Sequence, residues 1–213
     1  MNEGNDALDK KEQRNLWTSI WLEPRETVRY AIDHKTMKYA IMLVIIAGLF
    51  DVLNAATQNN LGATFTSPSF FIWLIVLSPV LGLIGWWIGA GIATMVGTWF
   101  GGTGTFAELK MAFAISYIPV ILGGLIWIPD LLILGKSLFV EDFTVSGWRL
   151  IWQFFSGFVG IVLGIWSFII TVMVVAEAHR ISGWRGFWTV VIPGVLLVIV
   201  LSIFFLPFFF LLF

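Results

Sequence analysis

Few side chains in this chain could do chemistry, and most of those lie in or beside long apolar runs. Asp51, Asp130 and Glu177 fall within such runs, while Glu108 and Lys110 open another. Charged groups are costly in hydrocarbon, so each is a functional candidate by default. Asp51 follows Met37 by about 21 Å of helix at 1.5 Å per residue, and Asp130 sits near the end of a later run. Both fall at similar depth toward the outer surface. Together they could form an acidic vestibule for a cation or a proton, with Tyr117 and Ser116, beside Pro119, supplying polar contacts. The plainer alternative is two separate acids near the headgroups, with Asp130 capping a short helix after Pro129.

Glu177, His179 and Arg180 close one apolar run, and Glu108 and Lys110 open another on the same side, which suggests an ion-pair network across the inner face. His34 and His179 are the only histidines, and neither has a partner at ligand spacing. The H-E-x-x-H and G-x-S-x-G motifs and the paired aspartates of intramembrane proteases are absent. With no Cys in the chain, disulfides, thiolate metal sites and thiol nucleophiles are excluded. No enzymatic activity, metal or cofactor is expected. Nucleic acid is not an expected partner either.

The stretch WFGGTGTFAELK contains Gly102-x-Gly104-x-x-Ala107, a loose match to a dinucleotide fingerprint. That fingerprint needs a strand, a glycine turn and a helix inside a parallel sheet. Here a membrane-length apolar run precedes the glycines, so the better reading is a tight turn between two spans. Thr103 or Thr105 then caps the next helix, and Glu108 lies in its first turn.

The elements that position these residues follow from composition. The chain is 59% hydrophobic and 12% charged, with a mean hydropathy of +0.93. No water-soluble core absorbs that much apolar surface. The fold class expected is an all-α integral membrane protein, a bundle of five spans at about 37–57, 79–100, 107–128, 149–176 and 187–213. The run from Phe70 to Phe100 exceeds the ~30 Å hydrocarbon core, and Ser78-Pro79 offers a break. Residues 69–77 are therefore expected to form an interfacial or re-entrant piece. Pro119, Gly123-Gly124, Pro129 and Pro193-Gly194 are further breakers.

Residues 1–36 form the hydrophilic block. Met1–Gln13 reads as disordered. Leu16, Trp17, Ile20 and Trp21 share a helical face, and Pro24-Arg25 starts a second short helix. These suggest an amphipathic interfacial segment or packing against the protein's own loops. Ten Lys and Arg fall on the N-terminal side of the five spans and only Lys136 and Arg149 on the other. This bias places the N-terminus inside and the C-terminus outside.

Small residues recur every four positions at Gly85, Gly89, Ala93 and Gly97, and again at Ser156, Gly160 and Gly164. Such stripes let helices approach closely. They are expected to pack the second span against the fourth or, alternatively, to form a homo-oligomer. Most tryptophans, including Trp17, Trp21, Trp99, Trp148, Trp152, Trp184 and Trp188, fall near span ends; Trp86, Trp87 and Trp166 lie deeper and need polar partners.

Three stretches carry a family resemblance. WLEPRETVRYAID resembles the segment before the first span in prokaryotic members of the Yip (Ypt-interacting protein) family. The glycine turn with FAELKMAFAISYIP resembles their third-span entrance, and WSFIITVMVVAEAHRISGWRGF the end of their fourth. The resemblance implies five spans and a cytoplasmic N-terminus in a prokaryotic plasma membrane. The eukaryotic relatives bind Rab-type GTPases and carry an Asp-Leu-Tyr-Gly-Pro stretch. This chain has Leu22-Glu23-Pro24-Arg25 at the comparable place, a departure that argues against GTPase binding.

Two functions compete. One is a non-enzymatic protein that organises membrane or binds lipids, a cytoplasmic protein or a second copy. The other is a small transporter or channel built on broken helices and Asp51/Asp130. A polar cavity reaching the midplane favours the second and a solid bundle the first.

Overall fold

The computed structural model describes residues 14–64, 68–140 and 145–212; Met1–Gln13 and Phe213 at the end of the fifth expected span lie outside the described residues. Every regular element among the described residues is helical. Two short helices, α1 (Leu16–Ser19) and α2 (Pro24–His34), lead into α3 (Met37–Gln58) and a single turn, α4 (Leu61–Thr64). Then follow α5 (Pro68–Trp99), α6 (Phe106–Ser116), α7 (Ile118–Gly123), a 3-10 turn (Gly124–Ile126) and α8 (Trp127–Ile133). A second 3-10 segment (Gly135–Phe139), α9 (Trp148–His179) and α10 (Gly183–Leu212) complete the chain. Five units are long and apolar enough to cross a membrane: α3, α5, the broken α6–α8, α9 and α10.

The second span corrects an expectation. No interfacial piece separates at Ser78-Pro79; α5 runs unbroken through Pro79. Proline cannot donate to the carbonyl four residues back, which here belongs to Ile75. The Ser78 hydroxyl donates to that oxygen instead, at 2.9 Å. A side chain thus satisfies the carbonyl that lipid could not. Likewise Pro193-Gly194 lies within continuous α10. The third span is the one that breaks, at Tyr117 before Pro119 and again at Gly123-Gly124. It is the central rod, with 56% of its best apolar window buried.

The core occupies one half of the bundle. Leu43 and Val44 of α3, Ala90 and Ala93 of α5, Leu109 and Ile115 of α6, and Ile170 and Val174 of α9 are all buried in one cluster. That half ends where α1, α2 and the turns at 100–105 and 180–182 gather, here termed the arm end. The opposite, far end carries only a small cluster around Ala56, Trp127 and Phe139. There Arg149 donates to the carbonyls of Ile133 (3.0 Å) and Leu134 (3.1 Å), capping the end of α8 from α9.

Close helix contact rests on glycines outside the stripes. At Gly48 of α3 an added Cβ would come within 2.9 Å of the Ser78 carbonyl, and at Gly82 of α5 within 3.1 Å of the Gly48 Cα. The expected packing of Gly85 and Gly89 against the fourth span is not made: both have open space where a side chain would go, as do Gly160 and Gly164. α5 packs chiefly on α3, and its stripe meets α9 at Ala93 and Gly97, against His179. Gly48→Leu should therefore destabilise the bundle by at least the roughly 1–3 kcal/mol of ordinary overpacking, because backbone blocks the new side chain. Gly89→Leu should leave it unchanged. Thermal unfolding in detergent distinguishes the two, and equal losses would contradict this packing.

Candidate functional site

The arm end is built around one guanidinium. Pro24 at the first turn of α2, Glu26 just after it and His34 in its last turn are standard helix-start and helix-end chemistry. The helix turns Val28 and Ala31 into the core and Arg29 toward α9. Arg29 donates through Nε (3.1 Å) and Nη2 (3.0 Å) to Glu177 Oε1, and through Nη2 to the Glu177 carbonyl at 2.8 Å. Its Nη1 lies 3.8 Å from Glu108 Oε1. Arg25 approaches the other oxygen of Glu177 at 4.0 Å. Arg14 joins α2 to its own lead-in through Glu23 and Glu26.

Glu108 divides its two oxygens. Oε2 accepts from the Thr105 N–H at 2.7 Å, while Thr105 Oγ1 accepts from the Glu108 N–H at 3.3 Å, a reciprocal cap for α6. Oε1 accepts from Arg180 Nη2 at 2.6 Å. That hydrogen bond and the neighbouring charge hold the Arg180 guanidinium above its usual pKa. Arg180 has φ +59°, the left-handed conformation that usually goes to glycine. The strained residue both ends α9 and aims its side chain at Glu108.

The expected inner-face network is thus assembled from Glu108, Glu177 and Arg180, but not from all five residues named for it. Lys110 turns away, its ammonium 4.7 Å from the Phe106 ring centroid and 5.9 Å from that of Trp86, whose indole N–H donates to the Lys110 carbonyl at 2.8 Å. His179 is fully buried and makes no ion pair. Its Nδ1 accepts from the Gly104 N–H at 3.3 Å, so Nε2 carries the proton and donates to the Ala93 carbonyl at 3.0 Å.

The glycine cluster is the cradle of that ring. A Cβ on Gly97 would stand 2.1 Å from His179 Nε2, and one on Gly102 would stand 2.5 Å from Nδ1. Gly101, at φ +78°, ends α5, with the Gly102 N–H bonded to the Gly97 carbonyl. Gly97 and Ala93 therefore meet the fourth span at one point, the imidazole that ends α9.

The far half of the bundle holds a cavity of about 600 Å³. Asp51 and Asn54 of α3, Gly123-Gly124, Asp130 of α8, and Gln153 through Ser167 of α9 line it. Asp51 and Asp130 thus share one space. Asp130 does not cap its own helix: Trp152 Nε1 donates to it at 2.8 Å and Ser156 Oγ at 2.7 Å. Asp51 accepts no hydrogen bond from any described side chain. Tyr117 and Ser116 do not line the cavity; Tyr117 nonetheless stands close enough to Asp51 to feel its charge, while Ser116 donates to the Phe113 carbonyl at 2.8 Å within its own helix.

Among the described residues α3 and α9 barely touch, and the cavity lies between them. Gly157, Gly160 and Gly164 form its α9 wall with nothing within 4 Å of where a side chain would begin. Toward the arm end its α9 lining reaches Ser167, one turn past the close contacts of Gly123 with Leu163 and of Gly124 with Phe50. This space is the vestibule. Among the described residues no three His, Asp or Glu side chains converge to hold a metal ion.

Sequence reasoning had no access to Arg29. It lies among several basic residues of the hydrophilic block, and its partners are 148 residues further on at Glu177 and at Glu108. Burying Leu16, Ile20 and Val28 gains roughly 1.5–3 kcal/mol each against water but almost nothing against lipid, so the ion pairs fix where the arm rests. Arg29→Ala should leave Glu177 without its main partner and cost roughly 1–3 kcal/mol, between the surface and buried limits. Limited proteolysis of the arm should accelerate in that variant, and an unchanged rate would contradict the docking. Gly97→Ala should destabilise despite being the smallest possible change, as a lowered melting temperature in detergent would register.

No curated protein and no solved structure matches the chain. The Yip1 domain family matches residues 18–205, a stretch that takes in α2, the His179 cradle and the vestibule alike. The chain is therefore a multi-pass membrane protein that belongs to the Yip1 domain family.

Proposed function

We propose that this protein is a non-enzymatic member of the family in a prokaryotic plasma membrane, and that it works by binding. Its hydrophilic block, residues 1–36, faces the cytoplasm as a platform for a protein partner. Its membrane domain, residues 37–213, holds a membrane lipid in the vestibule, with the C-terminus outside. What carries this reading is a cavity between α3 and α9 whose α9 wall is glycine, with open space where side chains would begin. Ten Lys and Arg on the arm side against Lys136 and Arg149 on the other support the orientation.

The transporter reading keeps one supporting observation, that Asp51 and Asp130 line the same space. Reconstituted liposomes decide between the two, since transport requires a flux that Asp51→Asn abolishes, whereas binding alone requires none.

Lipid retention tests the reading directly. Protein washed extensively in detergent should keep about one phospholipid per chain by native mass spectrometry, as expected of a single partly enclosed site. Gly160→Trp, which fills open space, should keep none while melting at the same temperature. Equal retention in both would overturn the reading. Orientation is tested by single cysteines in this cysteine-free chain: an impermeant maleimide added to whole cells should label Ser146→Cys and spare Leu22→Cys.

A further inference from the structure

We infer that the vestibule selects a membrane amphiphile whose headgroup carries a protonated amine. The inference rests on the lipid-binding reading above and adds the chemistry of the headgroup.

Charge comes first. Among the described residues, Asp51 and Asp130 are the only ionisable side chains lining the space, and no described Lys, Arg or His faces it. The two acids are differently placed. Asp130 is buried and already accepts from Trp152 and Ser156, one hydrogen bond on each oxygen. Each oxygen keeps a further lone pair. Asp51 is exposed to the cavity and accepts nothing from the described side chains. A carboxylate held at membrane depth without a partner is costly, and a cation relieves that cost. An ammonium offers three donors and no acceptor, matching a pair of acceptor groups with the amide oxygens of Asn54 and Gln153 nearby on the same lining. An anionic headgroup would meet repulsion from both acids.

Shape comes second. From Gln153 to Ser167 the α9 wall runs about 21 Å at 1.5 Å per residue, against a hydrocarbon core of about 30 Å. The depth is that of one leaflet and its headgroup layer. A bare inorganic cation or a small soluble amine would not need that length. The acids lie toward the far end, at the level where a headgroup sits. The glycine wall extends below them toward the midplane, where an acyl chain would lie against a surface with no side chains in its way.

The test uses full-length protein in nanodiscs containing equal amounts of phosphatidylethanolamine and phosphatidylglycerol, followed by extraction, washing and native mass spectrometry of the retained lipid. Wild type should retain the amine-bearing lipid in preference by about tenfold, the scale of one charge-assisted contact. Asp51→Asn, isosteric and at a carboxylate with no hydrogen bond among the described residues, should keep a lipid but lose the preference. If wild type retains neither lipid, or if Gly157→Cys cross-links two copies in place of lipid, the lipid-binding reading itself fails. If both lipids are retained equally, or if Asp51→Asn preserves the preference, lipid binding stands and the ammonium inference falls. Displacement of the lipid by free ethanolamine alone would assign the site to a soluble amine and overturn the amphiphile.

Discussion

Hydrocarbon offers no hydrogen bonds, so every polar group this chain carries below the headgroups must find its partner within the protein. Most local features answer that constraint. Ser78 supplies the donor that Pro79 withholds from Ile75. Trp86 spends its indole N–H on the Lys110 carbonyl. The His179 ring is satisfied on both nitrogens by backbone, which leaves it neutral and needing no counter-ion. Asp130 takes two donors from α9. Among the described residues Asp51 is a carboxylate at membrane depth with no hydrogen bond, and the buried Thr57 hydroxyl beside it in the lining also has none; these exceptions mark the vestibule.

The same constraint explains why the two halves differ. At the arm end, ions are paired with ions at the water boundary, and the core beneath them is solid. Apolar burial alone cannot hold α1 and α2 there, since lipid would welcome Ile20 and Val28 nearly as well as protein does. Arg29 supplies direction: it must sit where Glu177 and Glu108 are. At the far end the third span breaks into short segments around Pro119 and Gly123-Gly124, and α3 and α9 diverge. Space is left where a straight rod would have filled it.

Long-period features were legible in the residues, and pairings across the chain were not. Five apolar runs, their approximate bounds and the lopsided distribution of Lys and Arg need only hydropathy and counting. The shared depth of Asp51 and Asp130 followed from helical rise, and both do line one cavity. The glycine cluster was legible as a turn. Its second role was hidden, because His179 lies 75 residues beyond Gly104. The regular stripe at Gly85 and Gly89 misled, since spacing says that a face is flat without saying what it faces. The contact that joins two spans uses Gly48 and Gly82, which share no repeat. Pro79 misled for the same reason: a proline is visible, while the hydroxyl that rescues its helix is one ordinary Ser78.

The most direct measurement is a structure of the protein in a lipid nanodisc, read for density between α3 and α9. The result expected is one elongated density that enters from the bilayer, runs along Gly157, Gly160 and Gly164, and places its head beside Asp51. A water-filled path continuing past Ser167 to the arm end would contradict that expectation, as would a groove closed by protein side chains.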